Sequence, residues 1–129
     1  PSIPLLFVQH KVAATPMMTG YRLGSMMEFN GYDTRIKPRR LRLLRRAAEQ
    51  YLAAPYCDPV EEEWYGWRPM TSDGVPFIDL LPGLENAWVA AGHNMLGLSM
   101  APATGQLIAE LIDGGPTSID PAPYRIARG

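Results

Sequence analysis

Ala87 to Ile112 reads AWVAAGHNMLGLSMAPATGQLIAELI, and the division of this stretch decides the fold. Its first five residues predict a short buried strand, 87–91. Gly92 and Gly97 bracket a turn that is too apolar for a plain solvent loop. A helix is then expected from about Ser99 to Asp113, with Ser99 as N-cap and Pro102 in the first turn, where a missing N–H costs nothing. The unpaired N–H groups and positive dipole end of that helix would point into the turn, which suits a carbonyl or a developing anion. The glycines let backbone approach something flat. Gly92, His93, Asn94, Met95, Leu96 and Gly97 are therefore the candidate wall of an active site.

Working outward, Val75–Leu81 predicts a strand that joins 87–91 through a Pro82-Gly83 turn. Thr71-Ser72-Asp73-Gly74 reads as a turn with glycine in its last place. Upstream, Glu61-Glu62-Glu63 precede a predicted aromatic strand, Trp64–Pro69, whose alternation puts Trp64, Gly66 and Arg68 on one face. Ile3–Val8 and Lys11–Thr15 predict paired strands, and Tyr21–Phe29 a third, with Tyr21, Leu23, Ser25, Met27 and Phe29 on one side. Asn30-Gly31 is a turn dipeptide. Pro38 opens a helix expected to reach about Ala54, with Leu41, Leu44, Ala48 and Leu52 as its inward stripe. The last helix is expected to bury Leu107, Ile108, Leu111 and Ile112 and to end at Gly114-Gly115. The predicted class is α+β: a small antiparallel or mixed sheet with two main helices.

Bulk properties exclude several functions. With 129 residues, 47% apolar, the chain is long enough for a real core. A net charge of −1 argues against a protein that binds nucleic acid by neutralising phosphates. One cysteine, Cys57, allows no intrachain disulfide, and it is assigned no role. His10 and His93 are far apart in sequence, so no metal site is expected. No apolar run approaches the roughly 20 residues of a membrane-spanning helix. From Arg35 to Arg46 every charged residue is basic. That run reads either as a solvated outer face or as a contact for an anionic membrane surface or an acidic partner.

Among side chains that could carry chemistry, Arg68 stands out. A guanidinium next to tryptophan and near glycine suits bidentate capture of a carboxylate. The bland alternative is an arginine stacked on Trp64 or paired with Glu61, Glu62 or Glu63. His93 could touch a ligand or be a satisfied structural histidine. Met26, Met27, Met95 and Met100 could line a planar group or simply fill space. No nucleophile–base pair and no phosphate-cradling glycine motif occurs. Taken alone, these residues describe a small α+β domain with one carboxylate-sized site.

Three blocks extend this reading. Trp67–Ile78 (WRPMTSDGVPFI), Ala90–Gly97 (AAGHNMLG) and Ala101–Gly105 (APATG) together resemble the C-terminal part of the FAD-dependent D-amino-acid dehydrogenase/oxidase family, and Tyr21–Asp33 resembles its substrate-domain strand. The resemblance implies part of a two-domain flavoprotein oxidoreductase that oxidises a D-amino acid, or a glycine- or sarcosine-like amine, by hydride transfer to FAD. It implies that Arg68 grips the substrate carboxylate and that the Gly92–Gly97 turn lies along the flavin. It also implies that Met27 sits near the substrate; the glycine-oxidase branch has a carboxylate-assisting tyrosine near the position of Ala13. Residues 1–69 would belong mostly to the substrate domain and 70–129 to the segment returning to the FAD domain. The family's ADP-binding motif is absent here, so the remainder of the FAD site is expected from a missing N-terminal region. The expected partners are thus an amino-acid substrate and that region, in a cytoplasmic protein, with peripheral contact to the inner membrane left open. An isolated chain is expected to bind FAD poorly, to be inactive and to self-associate through its last helix. The competing reading is a non-catalytic interaction module that kept the fold without the cofactor.

Overall fold

Apolar residues at alternate positions near the N-terminus build a hairpin. β1 (Leu5–Phe7) pairs antiparallel with β2 (Val12–Pro16), placing Phe7 opposite Val12, and β2 pairs in turn with β3 (Tyr21–Gly24). Lys11, at φ 54°, closes the first turn. The structure, a computed structural model, describes residues 1–56 and 58–128; Cys57 lies outside them. They divide into two units, Pro1–Gly66 and Trp67–Gly129.

In the first unit, α1 (Pro38–Glu49) starts with proline at its first position, as expected. Ala47 and Ala48 of α1 pack with Phe7, Val12 and Ala14 as a buried cluster, and Leu5, Tyr21, Leu23, Leu44 and Leu52 lean on it. Small residues on the helix let it lie close to the sheet. Tyr51 stacks on Phe7 with ring centroids 4.4 Å apart.

Three expectations fail in this unit. α1 stops at Glu49 rather than near Ala54: Tyr51 and Leu52 both bond back to the Ala48 carbonyl in a tightened last turn, 3.0 and 2.9 Å. Pro55 bars helical backbone only at Ala54 and so does not set this stop; the bonds that Gln50, Tyr51 and Leu52 make to the Ala47 and Ala48 carbonyls close the helix there. β3 ends at Gly24 instead of Phe29. The Ser25 hydroxyl donates to the Lys11 carbonyl at 2.6 Å and Met26 turns to φ 72°, which no strand tolerates. Met27 and Phe29 consequently stand in solvent, Phe29 at 86% exposure, and Met27 is not on a strand face. Finally, Trp64–Pro69 forms no strand. Side chains hold its upstream part instead: Glu62 takes Arg22 at 2.7 Å, Trp64 receives the same guanidinium 5.2 Å above its ring, and Glu61 accepts from Thr19 at 2.9 Å.

The second unit is built on a hairpin of β4 (Phe77–Leu80) and β5 (Trp88–Ala91), paired antiparallel with Ile78 opposite Ala90. Gly83 at φ 78° closes it. α2 (Gly97–Asp113) packs across both strands. Leu107 of α2 and Ile78 of β4 are buried, at 1% and 3% exposure, while β5 itself is only half covered. Ile108 and Leu111 are half-buried, and Ile112, expected inside, is 57% exposed. Gly114 ends α2 in the left-handed conformation the sequence predicts. The fold is α+β, two helices on two small sheets, both antiparallel. No helix among the described residues is long and apolar enough to cross a membrane.

The tail after α2 is tied down by a residue the sequence did not single out. Arg128 donates to both Asp73 carboxylate oxygens (2.8 and 3.1 Å) and to the carbonyls of Val75, Pro76 and Arg125, while lying 4.0 Å over the Phe77 ring. Ile126 adds an N–H bond to Asp79 at 2.9 Å. The Arg128 guanidinium, followed by the Val75 N–H, holds the Asp73 carboxyl well below the usual carboxylate range. A depressed folded-state pKa stabilises the native form above the unfolded value of about 4, and that stabilisation is lost as pH falls further. Asp73→Asn should therefore lower the Tm of the second unit at pH 7, and the gap to wild type should narrow steadily as pH falls from about 4 towards 2. A gap of constant size across pH 7, 4 and 2 would show that the charge is irrelevant.

Candidate functional site

Gly92 is the fixed point of the turn. It is buried at φ 87°, and a Cβ placed there would come within 2.6 Å of the Thr71 methyl carbon. Thr71 cannot easily retreat, since its hydroxyl donates to the Val75 carbonyl at 2.8 Å. Gly97 carries no comparable constraint; a Cβ there would meet His93 Cβ at an ordinary 3.6 Å. The close backbone approach expected of both glycines is therefore required at the first one.

From Gly92 the backbone turns back on the Arg68 segment. Met70 and His93 form an antiparallel bridge, and the Asn94 N–H donates to the Pro69 carbonyl at 3.0 Å. The two stretches that the sequence singled out separately thus lie side by side, and Arg68 sits one residue before the anchored carbonyl. Its guanidinium is exposed and makes no hydrogen bond, ion pair or ring contact with any described residue. In the first unit it is Arg22 that takes Glu62 and Trp64.

His93 has a structural bond, with Nε2 2.9 Å from Thr104 Oγ1, which pins the turn to α2. Leu96 donates its N–H to His93 O at 3.0 Å and is itself the N-cap, with Met100 bonding to its carbonyl at 2.8 Å. Ser99 is accordingly inside the helix and not its cap, and Pro102 lies beyond the first turn. α2 tolerates that proline at a solvent-facing position. Because Asn94 and Leu96 spend their N–H groups locally, donors for a ligand come from the first helical residues, Gly97, Leu98 and Ser99. Met95, Leu96 and Leu98 expose apolar side chains beside them, Leu98 at 92%. Met100 is half-buried in α2.

The remaining candidates are in the first unit. Met27 is exposed in the loop after β3, and Met26 lines a groove of about 360 Å³ with Val12, Leu43, Arg46 and Ala47. Ala13 is half-buried within β2. Of the basic run, Arg35 pairs with Asp33, Lys37 and Arg40 share Glu28, and Arg45 lies over Tyr56. The hydrogen bond from Lys37 lowers the Glu28 pKa. No cluster able to hold a metal ion occurs among the described residues.

The open face formed by Arg68 and the 92–97 turn suits a flat group with a polar edge. Gly92 permits the close approach, the first N–H groups of α2 have no helical acceptor, apolar side chains stand exposed, and the Asn94 amide carries a carbonyl oxygen that is buried without a donor. These residues fit the ring half of a flavin. None of them is a phosphate cradle.

The model of a protein family described as FAD dependent oxidoreductase (DAO) matches residues 3–111. The chain belongs to that family. A glycine oxidase of Pseudomonas putida is 38% identical over 112 residues, 86% of this chain and 31% of that relative. A D-amino acid dehydrogenase of Granulibacter bethesdensis is 34% identical over 119 residues, covering 92% and 28%. Among solved structures, a glycine oxidase from Geobacillus kaustophilus aligns with a TM-score of 0.75 at 27% identity over 92% of this chain and 32% of that one. This DAO-family chain therefore spans under a third of the length of the curated relatives it matches. Its family is one of FAD-dependent oxidoreductases, as the three sequence blocks implied.

Proposed function

We propose that this chain supplies the carboxylate-binding arginine and one wall of the flavin site in a longer amino-acid oxidoreductase acting on a D-amino acid, glycine or a sarcosine-like amine. The observation that carries this reading is the unpartnered guanidinium of Arg68, held by the Pro69–Asn94 and Met70–His93 contacts next to a turn that only glycine at 92 can form. Relatives that act as glycine oxidase and D-amino acid dehydrogenase support the substrate class.

In this scheme Arg68 binds the substrate carboxylate and fixes the orientation of the Cα–H. A bound FAD would supply the hydride acceptor that turns the amino acid into an imino acid, which water would hydrolyse. The α2 N–H groups offset negative charge as the ring is reduced. Met95, Leu96 and Leu98 keep that side of the ring dry. The ADP half of the cofactor needs a phosphate-binding loop that lies outside this sequence. On this reading residues 1–69 serve the substrate domain, with Met27 near the substrate, and residues 70–129 the FAD domain.

The test uses the full-length protein with FAD and a panel of D-amino acids, L-amino acids, glycine and sarcosine. Bleaching of the flavin spectrum by at least one small amino acid under anaerobic conditions is the expected result. Stoichiometric FAD binding with no bleaching by any member would overturn the substrate assignment. No FAD binding at all would favour the interaction-module reading.

A further inference from the structure

The basic run of the first unit separates into two groups in the structure. Arg35 pairs with Asp33, Lys37 and Arg40 share Glu28, and Arg45 lies over the Tyr56 ring. Arg39, Arg42 and Arg46 have no partner among the described residues, and all three are exposed. Spacings of three and four residues put these three on one face of α1, on the side away from the buried Ala48. The stripe runs about 10 Å along the helix, with Leu43 half in solvent among the guanidinium groups. Glu49 is the one acidic residue of α1 and forms no ion pair with the stripe, and Glu63 lines a groove with Arg42 without pairing to it. A net charge of −1 for the whole chain hides this positive face.

We infer that the stripe docks the protein on an anionic lipid surface, with Arg39, Arg42 and Arg46 set against headgroup phosphates. Like charges at helical spacing repel, so the fold itself gains nothing by gathering them. Unpaired cations are not covered by apolar protein either, which leaves the stripe to hydrated or charged neighbours in the longer protein. No hydrogen bond fixes these three guanidinium groups, as recognition of one shaped acidic site would require; a lipid surface asks only for charge density. Glu28, bonded to Lys37 at 2.9 Å and Arg40 at 3.3 Å, ties to the start of α1 a loop that exposes Phe29 and Tyr32. Aromatic side chains of that kind suit the headgroup layer. The inference is independent of the flavin reading.

The test is co-sedimentation of the full-length protein with vesicles of phosphatidylcholine alone or mixed equally with phosphatidylglycerol. Wild type should bind the mixed vesicles at low salt, ignore the neutral ones, and be released by high salt. A basic side chain near an anionic surface strengthens binding about fivefold, so Arg42→Gln should cost about that factor and the triple change Arg39→Gln, Arg42→Gln, Arg46→Gln about 100-fold. Melting curves should be unchanged, since no intramolecular contact is lost. Lysine at all three positions should restore binding, because charge and not a guanidinium fork is what the surface reads. Arg125→Gln, which removes an exposed charge from the other unit, should leave binding as it was. Equal losses in Arg125→Gln and Arg42→Gln, binding to neutral vesicles as tight as to mixed ones, or a triple variant that binds like wild type would overturn the proposal. Binding to soluble polyglutamate but not to mixed vesicles would overturn it too, in favour of an acidic protein.

Discussion

Arg68→Ala in the full-length protein should lower kcat/KM for amino-acid oxidation about 100-fold, with most of the loss in KM. A hydrogen bond to a charged group contributes about 1.5–3 kcal/mol, and a bidentate guanidinium–carboxylate pair lies at the upper end of that range. Each 1.36 kcal/mol is tenfold in rate, so about 2.7 kcal/mol gives the stated factor. The carboxylate is bound alike in ground and transition states, so its loss appears mainly as weaker binding. The fold should be indifferent, because Arg68 has no partner among the described residues whose loss would be felt. Arg68→Lys keeps the charge without the fork and should recover only part of the loss. Stopped-flow reduction at varied substrate concentration, with a melting curve on the same sample, checks both halves. An unchanged kcat/KM, or a loss of activity that follows a loss of Tm, would remove Arg68 from the site.

The sequence was readable where local chemistry dictates backbone. Pro38 at a helix start, Gly114 at a helix end and the Pro82-Gly83 turn each follow from one residue's allowed φ, and each is found where expected. It misled where a strand had to be distinguished from an extended segment tied by side chains. Trp64–Pro69 alternates like a strand, yet the residues just before it, Glu61 and Glu62, are held by Thr19 and Arg22, 42 and 40 positions earlier in the chain. Tyr21–Phe29 failed for a similar reason: one hydroxyl, Ser25, found a carbonyl across the hairpin, and the chain turned at Met26. The helix start was misjudged because Ser99 is a good cap by composition, whereas the bond from Met100 to Leu96 fixes the start earlier. Arg128 left no local signal, since its five partners depend on how the tail folds back on Asp73 and Phe77. Of the candidate site, the sequence identified its two parts and the structure joined them through Pro69 and Asn94.

Gly92→Ala should be the most destabilising single-methyl change in the second unit. The φ of 87° costs an L-residue about 1–2 kcal/mol. The new methyl meets the Thr71 methyl at 2.6 Å, and overpacking of that kind costs about 1–3 kcal/mol. Together about 2–5 kcal/mol is lost, which for a unit of this size lowers Tm by roughly 10–40 °C. Gly97→Ala is the internal control: its contact with His93 Cβ is ordinary, and alanine is the better helix former, so Tm should hold or rise slightly. Thr71→Ser separates the two components, because it deletes the offending methyl while keeping a hydroxyl for the Val75 carbonyl. In a double-mutant cycle the pair Gly92→Ala with Thr71→Ser should recover the steric part and leave the backbone part. Full additivity in that cycle would mean that Thr71 is not what confines Gly92. Because the same turn carries His93, Asn94 and the start of α2, a Gly92→Ala protein that still folds should also bind FAD less tightly than the Gly97→Ala control at a temperature where both are native.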